Sequence, residues 1–245
     1  MPFTFAHPAL VLPLKYLPKT WISMIGLVIG SMTLDFEYFF RMRVRSIYSH
    51  TLPGLFWFDL PVGLLLILIY RKILKDKLID HLPVQLNQRL SKFKGNTENR
   101  ISPGYIAVII VSILVGSASH LLWDSFTHPT GYFVTNISAL THTIHIGSRQ
   151  FYAYKLAQHV STLLGGLAIF CVLYRLPKGL NTKVSNIAAY WLKSVGIAVI
   201  VTAIRLTCGL NYHELGNLVV TTIAGMFIGL TIVSGIYSTE VSQIR

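Results

Sequence analysis

Apolar positions in this chain come in long runs, with polar residues gathered between them. Residues 105 to 123, 156 to 176, 187 to 205 and 218 to 237 each approach the roughly 20 apolar residues that a helix needs to cross a hydrocarbon core. Residues 52 to 70 reach a similar length and predict a further span, with Asp59 and Pro61 inside it and Asp59 facing the bundle interior. Upstream, residues 9 to 17 and 21 to 32 are too short to cross alone and are separated by Pro18-Lys19-Thr20. Together they predict a helical hairpin that returns Asp35 to the side of His7, since broken helices are tolerated at membrane depth when buried in protein. The expected fold is an all-α polytopic membrane helix bundle, with five full spans plus a broken N-terminal helical hairpin.

The polar breaks complete this organisation. Residues 71 to 104 read as a basic polar loop, with an amphipathic surface helix over 78 to 90 and a disordered tip over 96 to 99. Residues 129 to 155 are polar for this chain and hold His142 and His145, whose spacing suits a metal but whose place in a surface loop does not. There is no fixed-period repeat, low-complexity tract or soluble second domain. Residues 1 to 245 therefore read as one integral-membrane domain, with the chemistry in 1 to 175 and scaffold helices in 176 to 245.

Composition agrees. The chain has 245 residues, 53% hydrophobic and 12% charged, about half the charged fraction of a soluble domain. A net charge of +12 would suggest nucleic acid in a soluble protein. Here the cations flank apolar runs, where topology and anionic headgroups account for them, and no nucleic-acid partner is expected. Lys15, Lys19, the 71 to 104 loop, Arg175, Lys178, Lys183 and Arg245 fall on one side of the expected topology; Arg41, Arg43, Arg45, Arg149, Lys155 and Arg205 fall on the other. The richer side is expected to be cytoplasmic. The first eight residues lack a basic n-region and a cleavage site, so insertion is expected from internal spans. Cys171 and Cys208 have no metal-motif spacing and read as buried thiols.

The candidate chemistry sits at the ends of the runs. His120 and Asp124 are four apart, so they lie about 40° apart around a helix and share a face, which His128 extends by a turn if the helix continues. Such a pair either holds a divalent ion or is a hydrogen bond orienting a core histidine. At the end of an apolar helix ionisable groups are expensive, and function is the default expectation. Asp35 and Glu37 either balance Arg41, Arg43 and Arg45 or act as ligands; His50 lies in a polar patch before the next run. His7, Asp35, Glu37, His50, His120 and Asp124 form a nitrogen and oxygen donor set without cysteine, suited to Zn or Mn, with a carboxylate-bridged pair of ions as one arrangement. The topology puts them at the extracytoplasmic face. There is no Gly-x-Ser-x-Gly elbow, Walker loop or CxxCH haem attachment.

Four blocks carry a resemblance: MPFTFAHPALVLPL, GSMTLDFEYF, SHTLPGLFWFDLPVGLLL and SHLLWDSFTHPTG. In this order, across roughly residues 1 to 175, they resemble the bacterial membrane family called domain-of-unknown-function family 4184. They are more distantly similar to the YdjM-like, LexA-binding family of inner-membrane-associated metal-dependent hydrolases. In that family an N-terminal His, a Pro-Asp-x-Asp, a His-Arg-x-x-Thr-His-Ser and a later His-x-x-x-Asp carry the site. His7, Asp35 with Glu37, His50, and His120 with Asp124 match those positions, whereas Leu34 replaces the Pro and Arg45 replaces the first His of the His-Arg motif. The resemblance implies a metal-dependent hydrolase of the bacterial cytoplasmic (inner) membrane, acting on a membrane lipid or phosphoester. Asp35 and Glu37 would be its catalytic carboxylates, with Arg41, Arg45 and His128 toward the substrate. The alternatives are a non-catalytic membrane protein with a structural metal or ion-transport site, and a haem protein using His120 and His159. No particular oligomeric state is implied.

Overall fold

Prolines shape the start of the chain. Pro8 and Pro13 stand in the first turns of Pro8–Val11 and Leu12–Tyr16, where a missing N–H costs nothing, and these follow a single turn at Thr4–Ala6. The computed structural model describes residues 3–95, 102–179 and 186–242, so the tip expected at 96 to 99 lies outside the described residues. The longer helices are α1 Met24–Arg41, α2 Leu60–Ile69, α3 Pro103–Asp124, α4 Ala153–Tyr174, α5 Ile187–Thr207 and α6 Leu215–Ser242. Among the described residues, four helices, α3 to α6, are long and apolar enough to cross a membrane, and the protein is an integral-membrane helix bundle.

This corrects the expectation of five full spans. Residues 52 to 70 do not form one regular helix of spanning length: Leu55–Asp59 and Tyr70–Leu74 are π-wound, and α2 between them has 10 residues, about 15 Å or half a hydrocarbon core. The winding changes beside Pro61, whose ring has no N–H to return to the preceding turn, and beside the fully buried Asp59. The other spans follow the apolar runs closely. Helix α1 differs, because it runs past the 21 to 32 apolar piece and takes Asp35, Glu37 and Arg41 into the helix itself. The cysteines also differ from expectation: Cys171 and Cys208 are both exposed at the protein surface.

The chain divides into two compact units. The first is Met1–Asp35, Tyr48–Leu64 and Ser102–Val172. Here α3 begins at an N-cap in which Ser102 Oγ accepts from Tyr105 N at 3.2 Å. It packs on the Met24–Asp35 part of α1 through small residues. A Cβ on Gly30 would fall into the backbone of Ile113, and one on Gly116 into that of Leu27 and Ser31. Gly26 and Gly30 form a Gly-x-x-x-Gly face, the pattern that lets membrane helices approach closely. Ser117 Oγ donates to Gly30 O at 3.0 Å, and Ser23 N donates to Ser112 Oγ at 2.7 Å. The N-terminal turn leans on α4, where Phe3 N donates to Thr162 Oγ1 at 3.0 Å. The polar stretch 129 to 155 contains an exposed β-hairpin, β1 Thr143–Ile146 with β2 Arg149–Tyr152, turning at Gly147 with φ 60°.

The second unit is Phe36–Ile47, Leu65–Ile101 and Leu173–Arg245. Helices α5 and α6 pack closely, with Gly229 against Ser194 and Tyr190 Oη hydrogen-bonded to Ser234 Oγ at 2.8 Å. The expected 78 to 90 surface helix is split at Leu82-Pro83 into Lys75–Asp80 and Val84–Leu90. The piece is anchored as well as amphipathic: His81 O accepts from Trp191 Nε1 at 2.7 Å.

Candidate metal centre

All the cluster residues lie in the first unit. His7 sits between Thr4–Ala6 and Pro8–Val11, and Asp35 lies on α1. His50 is in a tight turn held by Thr51, whose hydroxyl donates to Tyr48 O at 2.8 Å and accepts from Gly54 N at 3.0 Å. His120 and Asp124 end α3, and His128 follows in the turn that leaves it, with its N donating to Asp124 O at 2.9 Å. His7, Asp35, His120 and Asp124 are 0–4% exposed. The side chains of His50 and His128 are 17% and 29% exposed.

The distances describe a convergence of donors. Asp124 Oδ2 lies 3.3 Å from His120 Nε2, 3.6 Å from His50 Nε2 and 3.6 Å from His128 Nδ1. Asp124 Oδ1 lies 3.5 Å from His7 Nε2, and Asp35 Oδ1 lies 3.7 Å from both His50 Nε2 and His120 Nε2. Two groups, His7/Asp35/His120 and His50/His120/Asp124, each hold their ligand atoms within 4.8 Å of one another and share His120. Donors at about 2.0–2.2 Å from one ion stand roughly 3.3–3.6 Å apart at tetrahedral angles, close to the separations seen.

The far side of each group is already committed. His120 Nδ1 donates to Ser31 O at 2.7 Å, and His7 Nδ1 to Thr4 O at 3.4 Å. A carbonyl oxygen only accepts, so in both rings the proton belongs on Nδ1 and the Nε2 lone pair faces the carboxylates. Asp35 Oδ2 accepts from Thr4 Oγ1 at 2.5 Å, which turns Oδ1 inward, and His50 Nδ1 lies 2.9 Å from Ser49 Oγ. His7 Nε2, His120 Nε2, Asp35 Oδ1 and both Asp124 oxygens are buried with no hydrogen-bond partner. Buried acceptors facing one another need a cation or a proton between them. Protonating the rings instead would set imidazolium against imidazolium, because His7 and His120 stack at 3.6 Å with an interplanar angle of 1°. Burial pushes the His7 pKa down, and that of His128 down to about 4, so the neutral form of these two rings is favoured. Fixing one imidazole nitrogen to orient the other is the usual support of a ligating histidine. The cluster can coordinate a metal ion.

Other expected site residues lie elsewhere. Asp35 and Glu37 are two apart within α1, so their side chains leave it about 200° apart. Glu37 belongs to the second unit, where it accepts from Arg41 Nε at 2.8 Å, Ile47 N at 2.9 Å and Ser46 Oγ at 3.2 Å. Arg41 and Arg45, with Arg43 and Arg205, line a cavity of about 370 Å³ in that unit. His142, His145 and His159 are exposed and join neither donor group. Thr4 was missed at the sequence level, since a lone threonine three residues before a histidine carries no motif.

Fold and site together define a class: a multi-span membrane protein with a buried His/Asp cluster able to coordinate a metal ion. A family model described as a domain of unknown function, DUF4184, matches residues 1–235, and the chain belongs to that family. The match reaches beyond the 1 to 175 expected and takes in α5 and most of α6. No curated protein and no solved structure matches the chain.

Proposed function

We propose that the protein is a membrane-embedded, metal-dependent hydrolase acting on a lipid or other phosphoester at the membrane surface. The observation that carries this is the set of buried, inward-facing acceptors 3.3–3.7 Å apart, with their hydrogens committed to Thr4 and Ser31 carbonyls. His7, Asp35, His50, His120 and Asp124 would hold the ion, and three nitrogens with carboxylate oxygens suit Zn or Mn. When bound, such an ion polarises a phosphoryl oxygen and lowers the pKa of water toward 7.

The pattern of exposure favours catalysis over a structural role. Structural sites are closed on all sides, whereas catalytic ones keep one position open. Four donors here are sealed, and only His50 and His128 reach the surface. His128, neutral near pH 7, would place a ring nitrogen at the open side to accept a substrate hydrogen bond. Asp35 and Asp124 would hold the cation, with Thr4 and Ser31 fixing Asp35 and His120. Glu37 has no proton-transfer part in this scheme, because Arg41, Ser46 and Ile47 already occupy its carboxylate. The setting would be the bacterial inner membrane, with the cluster toward the extracytoplasmic face.

The test is hydrolysis by purified protein loaded with Zn or Mn, read as phosphate released from phosphatidic acid and as alcohol released from a soluble phosphodiester. Metal-dependent turnover that disappears in Asp124→Asn is expected. An ion bound without turnover on either ester would shift the site to the non-catalytic or ion-transport alternative. A milder change is expected from Thr4→Val, which keeps shape and removes the hydroxyl on Asp35 Oδ2. Metal affinity, measured against a competing chelator, should fall on the order of 10–100-fold with the fold intact.

A further inference from the structure

The turn that closes α1 is built around positive charge. Met42 adopts a left-handed conformation, φ 49°, and Arg43 N donates back to Tyr38 O at 3.1 Å, a helix ending that ordinarily uses glycine. The backbone beyond is fastened at separate points. Thr221 Oγ1 donates to Met42 O at 3.2 Å, Val44 N donates to Asn217 Oδ1 at 2.8 Å, and Ile47 N donates to Glu37 at 2.9 Å. From this fixed frame Arg41, Arg43 and Arg45 join Arg205, from the last turn of α5, around the cavity of about 370 Å³. The four arginines are its lining.

Ordinary explanations leave a remainder. Glu37 takes up Arg41, which still leaves the cavity strongly positive. Arg205 Nε is buried with no hydrogen-bond partner, and an unmet buried donor is costly. Arg205 lies in the last turn of a helix long and apolar enough to cross a membrane. Guanidinium forks match phosphate oxygens in pairs, and the volume lies within the roughly 300–1,000 Å³ of ligand pockets.

We propose that this cavity is a phosphate-binding site, taking either the phosphate of a lipid headgroup or free inorganic phosphate. It does not rest on the metal centre, because all four arginines belong to the second unit. Two measurements on the purified full chain test it: equilibrium dialysis with radiolabelled inorganic phosphate, and native mass spectrometry of phosphatidic acid retention against phosphatidylcholine. Both are run with and without EDTA and against chloride of equal ionic strength. Binding of inorganic phosphate assigns the free anion; retention of phosphatidic acid alone assigns the headgroup. Either should survive EDTA and weaken at least about tenfold in Arg43→Gln/Arg205→Gln. Arg43→Lys/Arg205→Lys, which keeps the charge and loses the fork, should fold and weaken binding several-fold. Wild-type protein that holds neither probe above the chloride control overturns the proposal, as does unchanged binding in folded arginine variants. Binding that EDTA abolishes overturns it too, because the phosphate would then sit on a metal.

Discussion

Wild-type protein is expected to purify with a divalent ion, and protein carrying His120→Gln without one. Glutamine is close in size and its amide can still donate to Ser31 O, so the α1–α3 contact at 2.7 Å has a replacement. What goes is the Nε2 lone pair that both donor groups share. Whether the centre holds one ion or a bridged pair, every arrangement loses a ligand. The affinity loss should exceed the roughly 100-fold upper end of changes that act through an outer hydrogen bond, and so exceed that of Thr4→Val. Elemental analysis of the two variants beside wild type and His145→Gln, an exposed histidine on β1, makes the comparison. Equal metal in wild type and His120→Gln would remove the centre from this helix.

An equally large effect is expected from a residue that is not itself a ligand. Gly30→Leu places a branched side chain where α1 and α3 meet backbone to backbone, and Ile113 cannot yield without moving α3. Overpacking of this kind costs roughly 1–3 kcal/mol, but its consequence for the site is greater than for the fold. Asp35 Oδ1 stands 3.7 Å from His120 Nε2 across that close approach, so moving α3 moves the two apart. Metal content and thermal stability in detergent should therefore fall together. Gly104→Leu, with open space around it on the first turn of α3, should leave metal content unchanged. Gly30→Leu protein with full metal occupancy would show that the helices do not need this contact.

What was legible in the sequence was what depends on local spacing. The four apolar runs became the four spans, and His120 with Asp124 shared a face because a regular helix leaves them no other choice. Errors arose where winding or helix length departs from the regular case. The run at 52 to 70 has the length of a span but is π-wound on both sides of α2. Asp35 and Glu37 were paired as ligands through the family resemblance, but α1 continues to Arg41 and sends them apart. His128 would share that face if α3 continued by a turn; instead it reaches Asp124 from the bend after the helix has ended. Thr4 and the Ser31 carbonyl were invisible because support of that kind is set by tertiary position. Gly26 and Gly30 did leave a signal in the sequence, and reading their four-residue spacing would have indicated the α1–α3 contact.

The donors of the cluster enter the chain in order, from His7 at the start to Asp124 and His128 beyond α3. During synthesis the early ligands are therefore made long before their partners. Carboxylate Asp35 and imidazole His7 must wait in an inserting chain until the third long apolar stretch is released, closing a loop of more than a hundred residues. An ion would therefore enter late and act as a check that α1 and α3 have found each other. A ribosome-bound chain stalled before residue 120 should be unable to retain it, however complete its first helices are.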